Sequence, residues 1–246
     1  MSQKVKQSTV GKVEKVISLS DIHFGSEDKE ALNLAVSFIR DEKPDTIVLN
    51  GDILDADNLS DFLRNPVKKD SLLSEIEATK SFLSILRVIC PYANIVFIEG
   101  NHEDRLRKLL WKHPIILSLT PNVTFQSILD LDLFRIKWLP YGDQFVYRKC
   151  VFTHGVKTSK ACGVDNIISY GGSGTSGHTH RLTLSGKTVL GNTFYWVESG
   201  CLCNLKPDYV KGIADWQHGF AFGWTSGISQ DLLLKPMRIT NGDIFG

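Results

Sequence analysis

Nowhere in this chain do apolar residues run for the roughly 20 positions that a membrane-spanning helix needs, and the N-terminus has no apolar stretch followed by a cleavage site. Neither a secretory signal nor a membrane partner is expected, and the reading is of a cytoplasmic protein. A surplus of charge is also missing. Lys plus Arg number 28 and Asp plus Glu 27, a formal charge of +1, so no bulk field announces a nucleic-acid or membrane surface, although local patches remain open. Paired cysteines are lacking too: the five, Cys90, Cys150, Cys162, Cys201 and Cys203, are odd in number and contain no two-residue-spaced pair. That excludes zinc-finger spacing and a complete disulfide framework, and leaves reduced, buried thiols. The sulfurs of Cys201-Leu202-Cys203 should share one face of a strand; no metal or redox role is assigned to them. Internal repeats and sharp composition breaks are absent, which argues for one domain over 1–246, with a polar, aperiodic and frayed tail at 1–12. What is present, 42% hydrophobic and 22% charged residues, is the composition of a globular protein with a real core.

The first half alternates strand and helix signals. Val13 to Leu19 reads as a strand running into Ser20-Asp21-Ile22-His23-Phe24-Gly25, and Glu30 to Arg40 carries Ala31, Leu34, Ala35 and Phe38 at helical spacing. Thr46 to Leu49 is a second strand leading into Asn50-Gly51-Asp52. Residues Asp55 to Asn65 read as a short helical insert, and Lys68, Lys69 and Asp70 mark the next start. From Leu72 to Cys90 the apolar positions step by threes and fours, so a long amphipathic helix is expected. It leads to the apolar run Ala93 to Ile98, and that strand ends in Glu99-Gly100-Asn101-His102-Glu103-Asp104-Arg105 before a helix around Leu106 to Trp111. In a β-α-β arrangement with parallel strands, these turns meet at one sheet edge, where ligands bind in open α/β sheets.

Beyond Trp111 the pattern weakens. A short helix runs from His113-Pro114 to Leu119, a strand spans Phe134 to Trp138, and Phe145–Tyr147 with Cys150–Thr153 reads as a hairpin ending in His154-Gly155. The stretch 171–176 is rich in Gly and Ser and continues into Gly177-His178-Thr179-His180. From Leu182 to Ile239, β-branched and aromatic residues with turns at Ser185-Gly186, Gly191-Asn192 and Ser226-Gly227 read as a second, largely antiparallel set of strands.

Collected from the turns, the chemistry-bearing side chains are Asp21, His23, Asp52, Asn101, His102, His154, His178 and His180. Five of the seven histidines are in this group. So many imidazoles and carboxylates at one edge would be costly without cations to neutralise them. The donors are oxygen and nitrogen without thiolate, too nitrogen-rich for Ca²⁺ or a simple Mg²⁺ site. They outnumber the needs of one ion, and two ions about 3.5–4 Å apart would form the clamp that stabilises in-line displacement at phosphorus.

Asp21-x-His23, Gly51-Asp52, Gly100-Asn101-His102-Glu103, His154-Gly155 and Gly177-His178-x-His180 resemble, in order and type, the five motifs of the calcineurin-like metallophosphoesterases, over Asp21 to His180. The resemblance implies an α/β fold, a four-layer sandwich of two mixed β-sheets flanked by helices. It implies that Asp21, His23 and His180 hold one divalent metal, that Asn101, His154 and His178 hold a second, and that Asp52 bridges both. Mn²⁺ is the first expectation, with Fe, Zn²⁺, Ni²⁺ or Mg²⁺ as alternatives. His102 would be catalytic rather than a ligand, facing the scissile phosphate as general acid or charge stabiliser, which suits an imidazole.

Departures narrow the family. Protein Ser/Thr phosphatases carry Gly-Asp-x-x-Asp-Arg-Gly, whereas Gly51-Asp52-Ile53-Leu54-Asp55-Ala56-Asp57 lacks the arginine. The motifs Glu103-Asp104-Arg105, Gly177 to Arg181, Glu198-Ser199-Gly200-Cys201 and Trp216 to Phe220 look like phosphoesterases of phages and bacteria. Arg105 and Arg181, together with Asn101, are the candidate substrate contacts, since a guanidinium grips two phosphate oxygens. Tyr195, Trp196, Tyr209 and Trp216 are candidate base-stacking aromatics. The expected function is a dinuclear metal-dependent phosphodiesterase or nuclease acting on nucleic acid or nucleotides. A phosphomonoesterase or pyrophosphatase is the alternative, and a non-catalytic scaffold of the same fold is the distant one.

Overall fold

The computed structural model describes residues 11–61, 71–120, 122–207, 212–227 and 231–246. In chain order the elements are β1 (Lys15–Leu19), α1 (Lys29–Glu42), β2 (Thr46–Asn50), a 3₁₀ turn (Asp57–Leu59), α2 (Leu72–Ile89), β3 (Asn94–Ile98), α3 (Asp104–Lys112), α4 (Pro114–Leu119), α5 (Phe125–Ile128) and β4 (Ile136–Leu139). There follow β5 (Phe145–Tyr147), β6 (Cys150–Thr153), α6 (Cys162–Tyr170), β7 (Gly174–Ser176), β8 (Leu182–Val189), β9 (Asn192–Ser199), β10 (Gly219–Thr225), β11 (Leu232–Thr240) and β12 (Asp243–Phe245).

Local chemistry sets the helix ends. The Asp28 carboxylate accepts the Ala31 N–H at 2.9 Å and opens α1, while Lys43 in the left-handed region closes it. Ser71 and Ser74 cap α2 reciprocally. Strands β1 to β4 then pair in parallel, and β10, β11 and β12 extend the same sheet antiparallel on the β1 side, giving the order β12-β11-β10-β1-β2-β3-β4. The second sheet runs β5-β6-β7-β9-β8, with β6, β7 and β9 parallel.

Strand periodicity explains the layering. Ile17, Leu19, Ile47, Leu49, Ile95 and Phe97 point to one face of the first sheet, against Ala35 and Ile39 of α1 and Phe82, Leu83 and Leu86 of α2. The intervening Val16, Val48, Val96 and Ile98 point the other way, onto Cys150 and Phe152 of β6. On the far face of the second sheet, Trp196 and Val151 pack with Ile167 of α6. The fold is therefore a four-layer sandwich of helices, two mixed sheets and a helix.

Several sequence expectations need correction. The strands after Leu182 are divided between the sheets: β8 and β9 form a hairpin in the second, but β10 pairs with β1 because Phe220 and Phe222 pack against Phe38 of α1. Ser185-Gly186 lies within β8 rather than in a turn, paired with Trp196 and Tyr195. Helix α6 carries no sequence expectation, and strand β7 lies inside the Gly/Ser-rich stretch 171–176. Residues 1–10 of the expected tail lie outside the described residues, as do 62–65 of the insert, the expected start at Lys68, Lys69 and Asp70, and Tyr209. Lys12, at the end of that expected tail, has its Nζ 2.5 Å from Asp45 Oδ1. All five cysteines are buried free thiols. Among the described residues, no helix is long and apolar enough to cross a membrane.

Candidate metal centre

The loops after β1, β2, β3, β6 and β7 meet where the carboxyl ends of the strands of the two sheets come together. Each delivers donors: Asp21 and His23, Asp52, Asn101 and His102, His154, then His178 and His180. Asp21, His23, Asp52, His154 and His180 are buried. Five donor residues adopt left-handed backbone, Asp21 (φ 52°), His23 (51°), Asp52 (52°), His178 (70°) and His180 (58°). Such strain costs about 1 kcal/mol or more per residue and persists only where the surroundings over-determine it. The glycines of the motifs have a spatial reason. A Cβ on Gly100 would lie 2.1 Å from Asp52 Oδ1, and one on Gly177 would lie 2.4 Å from Asp21 Oδ2, so only glycine lets these loops close on the carboxylates.

The donors fall into two groups that share Asp52. In the first, His180 Nε2 is 3.1 Å from Asp21 Oδ1 and 3.3 Å from His23 Nε2, which is 3.8 Å from Asp52 Oδ2. In the second, His154 Nε2 is 3.3 Å from Asp52 Oδ2 and 3.1 Å from Asn101 Oδ1, and His178 joins the cluster of Asp52 and His154. Donors bound to one ion at about 2.1 Å stand about 3.0 Å apart when adjacent and up to about 4.2 Å apart when opposite, so these separations fit the coordination shells of two divalent ions. Supporting bonds fix the rings. The Nδ1–H of His154 donates to the Asn50 carbonyl at 2.9 Å, which turns its Nε2 into the site. Asp55 serves both imidazoles: its Oδ1 lies 3.6 Å from His23 Nδ1 and 3.4 Å from His102 Nδ1, and its backbone carbonyl accepts the His102 Nδ1–H at 2.6 Å.

Electrostatics call for positive charge here. Burial alone would lower His154 and His180, yet Asp52 beside the first and Asp21 beside the second lift both to about 10. Burial would raise the two carboxylates, but the surrounding imidazoles bring Asp21 down and Asp52 well down. His102 is raised: burial lowers it, but Asp52 and Asp55 favour its charged form over the opposition of Arg105.

The sequence profile of the family described as calcineurin-like phosphoesterase matches residues 14–186, well over half of the chain. The chain belongs to this family. This calcineurin-like phosphoesterase is 28% identical to the Gene 54 protein of Mycobacterium phage L5 over 229 residues, covering 84% of this chain and 87% of that protein. It is 29% identical to the Gene 54 protein of Mycobacterium phage D29 with the same coverage. Among solved structures, Vacuolar Protein Sorting 29 from Cryptosporidium parvum superposes with a TM-score of 0.53 at 11% identity, covering 95% of each chain, which is a likeness of fold alone.

The phosphoesterase site differs from sequence expectation at its rim. Arg105 stays by the centre: it donates to the Asp55 carbonyl at 2.9 Å and sits 3.0 Å from His102 Nε2. Arg181 does not reach in the same way. Its guanidinium is held by Glu198 at 3.1 Å and by the Ser159 carbonyl at 2.5 Å, and Glu198 also accepts from Thr179 and Thr183. Arg181 thus ties the His178–His180 loop to β9 through an ion pair. Trp196 is core rather than stacking surface; its Nε1–H donates to Ser176 Oγ at 3.0 Å. Tyr195 is exposed, and Trp216 lies against His180 with ring centroids 4.2 Å apart.

Three residues that matter here escape sequence reasoning. Asp55 shows only as the second aspartate of Gly51-Asp52-x-x-Asp55, and that repetition was its signal. Glu103 accepts four backbone N–H groups, from Asp52 (3.0 Å) and Gly100 (2.8 Å) on Oε2 and from Ile53 (2.8 Å) and Leu54 (3.0 Å) on Oε1, tying together the loops that carry Asp52 and Asn101. Cys203 Sγ lies 3.7 Å from His180 Nδ1 and supports that ring, a contact no spacing rule would suggest.

Proposed function

We propose that this chain hydrolyses phosphodiesters, in nucleic acid or nucleotides, with two divalent ions held by Asp21, His23, Asp52, Asn101, His154, His178 and His180, Mn²⁺ being the first choice. The observation that carries this reading is the convergence of those seven donors around one shared carboxylate, Asp52, with His102 poised beside it. The Vacuolar Protein Sorting 29 neighbour is named for sorting rather than hydrolysis, so the fold alone does not carry activity; the donor set does. When bound, the ions supply Lewis-acid polarisation of the phosphoryl oxygens and activation of water.

The chain's own groups do the rest. The Nδ1–H of His102 donates to the Asp55 carbonyl at 2.6 Å, which leaves Nε2 on the side of Asp52 Oδ2, 3.8 Å away. As placed, Nε2 accepts from Arg105 Nη2 at 3.0 Å; when that guanidinium turns to a phosphoryl oxygen, Nε2 is open to a proton, which it gives to the leaving oxygen as the P–O bond breaks, and the proton released by the attacking water returns to Nε2. Arg105, beside His102, and Asn101 are the phosphoryl-oxygen contacts of this reading.

Purified protein loaded with Mn²⁺ and assayed on bis-p-nitrophenyl phosphate, p-nitrophenyl phosphate and single- and double-stranded DNA tests the reading. The diester should have the higher kcat/KM, and short or single strands should be cleaved in preference to long duplex. A higher kcat/KM on the monoester with no cleavage of any oligonucleotide would overturn diester specificity. No turnover on any of these substrates would overturn the enzymatic reading.

A further inference from the structure

Beside the metal centre a cleft of about 220 Å³ opens between the 3₁₀ turn and α3. Its inner end is formed by Asn101 and Arg105, so it is continuous with the site where the scissile phosphate would sit. From there Lys108 and Lys112 continue along the same wall at helical steps of three and four, which places Arg105, Lys108 and Lys112 on one face of α3. At 1.5 Å per residue the ladder extends about 10 Å along the helix axis, farther than a single phosphate group reaches. Leu59 and Leu109 add apolar surface between the cations.

The ion pairs already present leave room for a ligand. Lys112 pairs with Asp61, whose side chain is 77% exposed, and Lys108 shares the buried Asp104 with Arg107 at 3.0 Å. The exposed Lys112–Asp61 pair is worth about 0–1 kcal/mol, so an arriving phosphate can replace that carboxylate, while Lys108 keeps Asp104 and offers its remaining ammonium donors.

We propose that this cleft is a second phosphate subsite, which takes the phosphate neighbouring the scissile one, with Lys108 and Lys112 on its oxygens and Leu59 and Leu109 against the sugar or base. The proposal rests on the phosphoesterase reading above. It names the substrate class as an ester carrying at least two phosphates, either a polynucleotide strand or a nucleoside polyphosphate.

The test is fluorescence anisotropy of a labelled decathymidylate on Mn²⁺-loaded His102→Ala protein, whose lowered kcat slows cleavage, the strand being checked for length after each titration, with ADP and AMP as competitors. Lys108→Ala with Lys112→Ala should weaken strand binding at least about 10-fold at low salt and reduce the slope of log K against log salt by about 0.7 per lysine. Asp61→Asn should tighten binding, a sign that mere loss of folding cannot produce. A weakened strand with unchanged ADP assigns the subsite to a strand; loss of the advantage of ADP over AMP assigns it to a nucleoside polyphosphate. Unchanged affinity for both, or weaker binding in Asp61→Asn, overturns the subsite. Absence of wild-type turnover on bis-p-nitrophenyl phosphate defeats the phosphoesterase reading and leaves the anisotropy result to stand by itself.

Discussion

Replacing Glu103 by glutamine exchanges one oxygen for an NH₂ group and should disable the loops on which both metals depend. The carboxylate accepts two backbone N–H groups on each oxygen, at 2.8–3.0 Å. An amide has one acceptor oxygen, so whichever way the substituted side chain turns, two buried N–H donors face an NH₂ group. Each unsatisfied buried donor costs about 1–3 kcal/mol. Part of this is offset, because burial and the nearby Asp52 push Glu103 up and make its charge expensive. A net loss of about 2–4 kcal/mol remains, which at about 2–4 °C per kcal/mol for a chain of this length lowers Tm by about 5–15 °C. The loosened residues carry Asp52 and Asn101, so Mn²⁺ affinity should fall about 10–100-fold, the usual scale for a residue that orients ligands. Thermal unfolding of Glu103→Gln with and without Mn²⁺, followed by elemental analysis after gel filtration, measures both effects. A Tm within about 2 °C of wild type, less than the loss of a single donor would produce, together with unchanged metal content would refute the reasoning.

Asp52→Asn should lower occupancy at both metal positions and abolish turnover, whereas His23→Ala should mainly weaken one; full dinuclear occupancy in the Asp52 variant would remove the shared-ligand assignment. His102→Ala should keep both metals and lower kcat about 10²–10⁴-fold, and activity regained by raising Mn²⁺ would instead make His102 a ligand. Glu99, buried against Trp138, is pushed up to about 7 by burial and by Glu103. Its folded form therefore holds a proton that the unfolded chain has released, and stability is lost as pH rises from about 4.5 through 7, by about 3 kcal/mol at the top. Glu99→Gln should match wild-type Tm near pH 5 and exceed it by pH 8; a difference that stays flat with pH would disprove the assignment.

The sequence by itself determined the parts of this protein whose signals are local. Strand, turn and helix alternate clearly up to Asn101-His102, because Ile47, Leu49, Ile95 and Phe97 must be apolar to lie under helices and because glycine must precede the donors where loops press on Asp52 and Asp21. Donor identity was equally readable, since residue type alone states whether a side chain offers nitrogen or oxygen. Tertiary structure decided what depends on partners distant in the chain. Whether β10 joins the first or the second sheet is settled by Phe38, far earlier in the chain, since alternation along a strand states that it has two faces but not which sheet it joins. Arginine carries the same charge at positions 105 and 181, but Glu198 takes one while the other stays beside His102. The four bonds to Glu103 and the Cys203–His180 contact were invisible for the same reason: a hydrogen bond is a fact about distance in space, and a sequence orders its residues only along the chain.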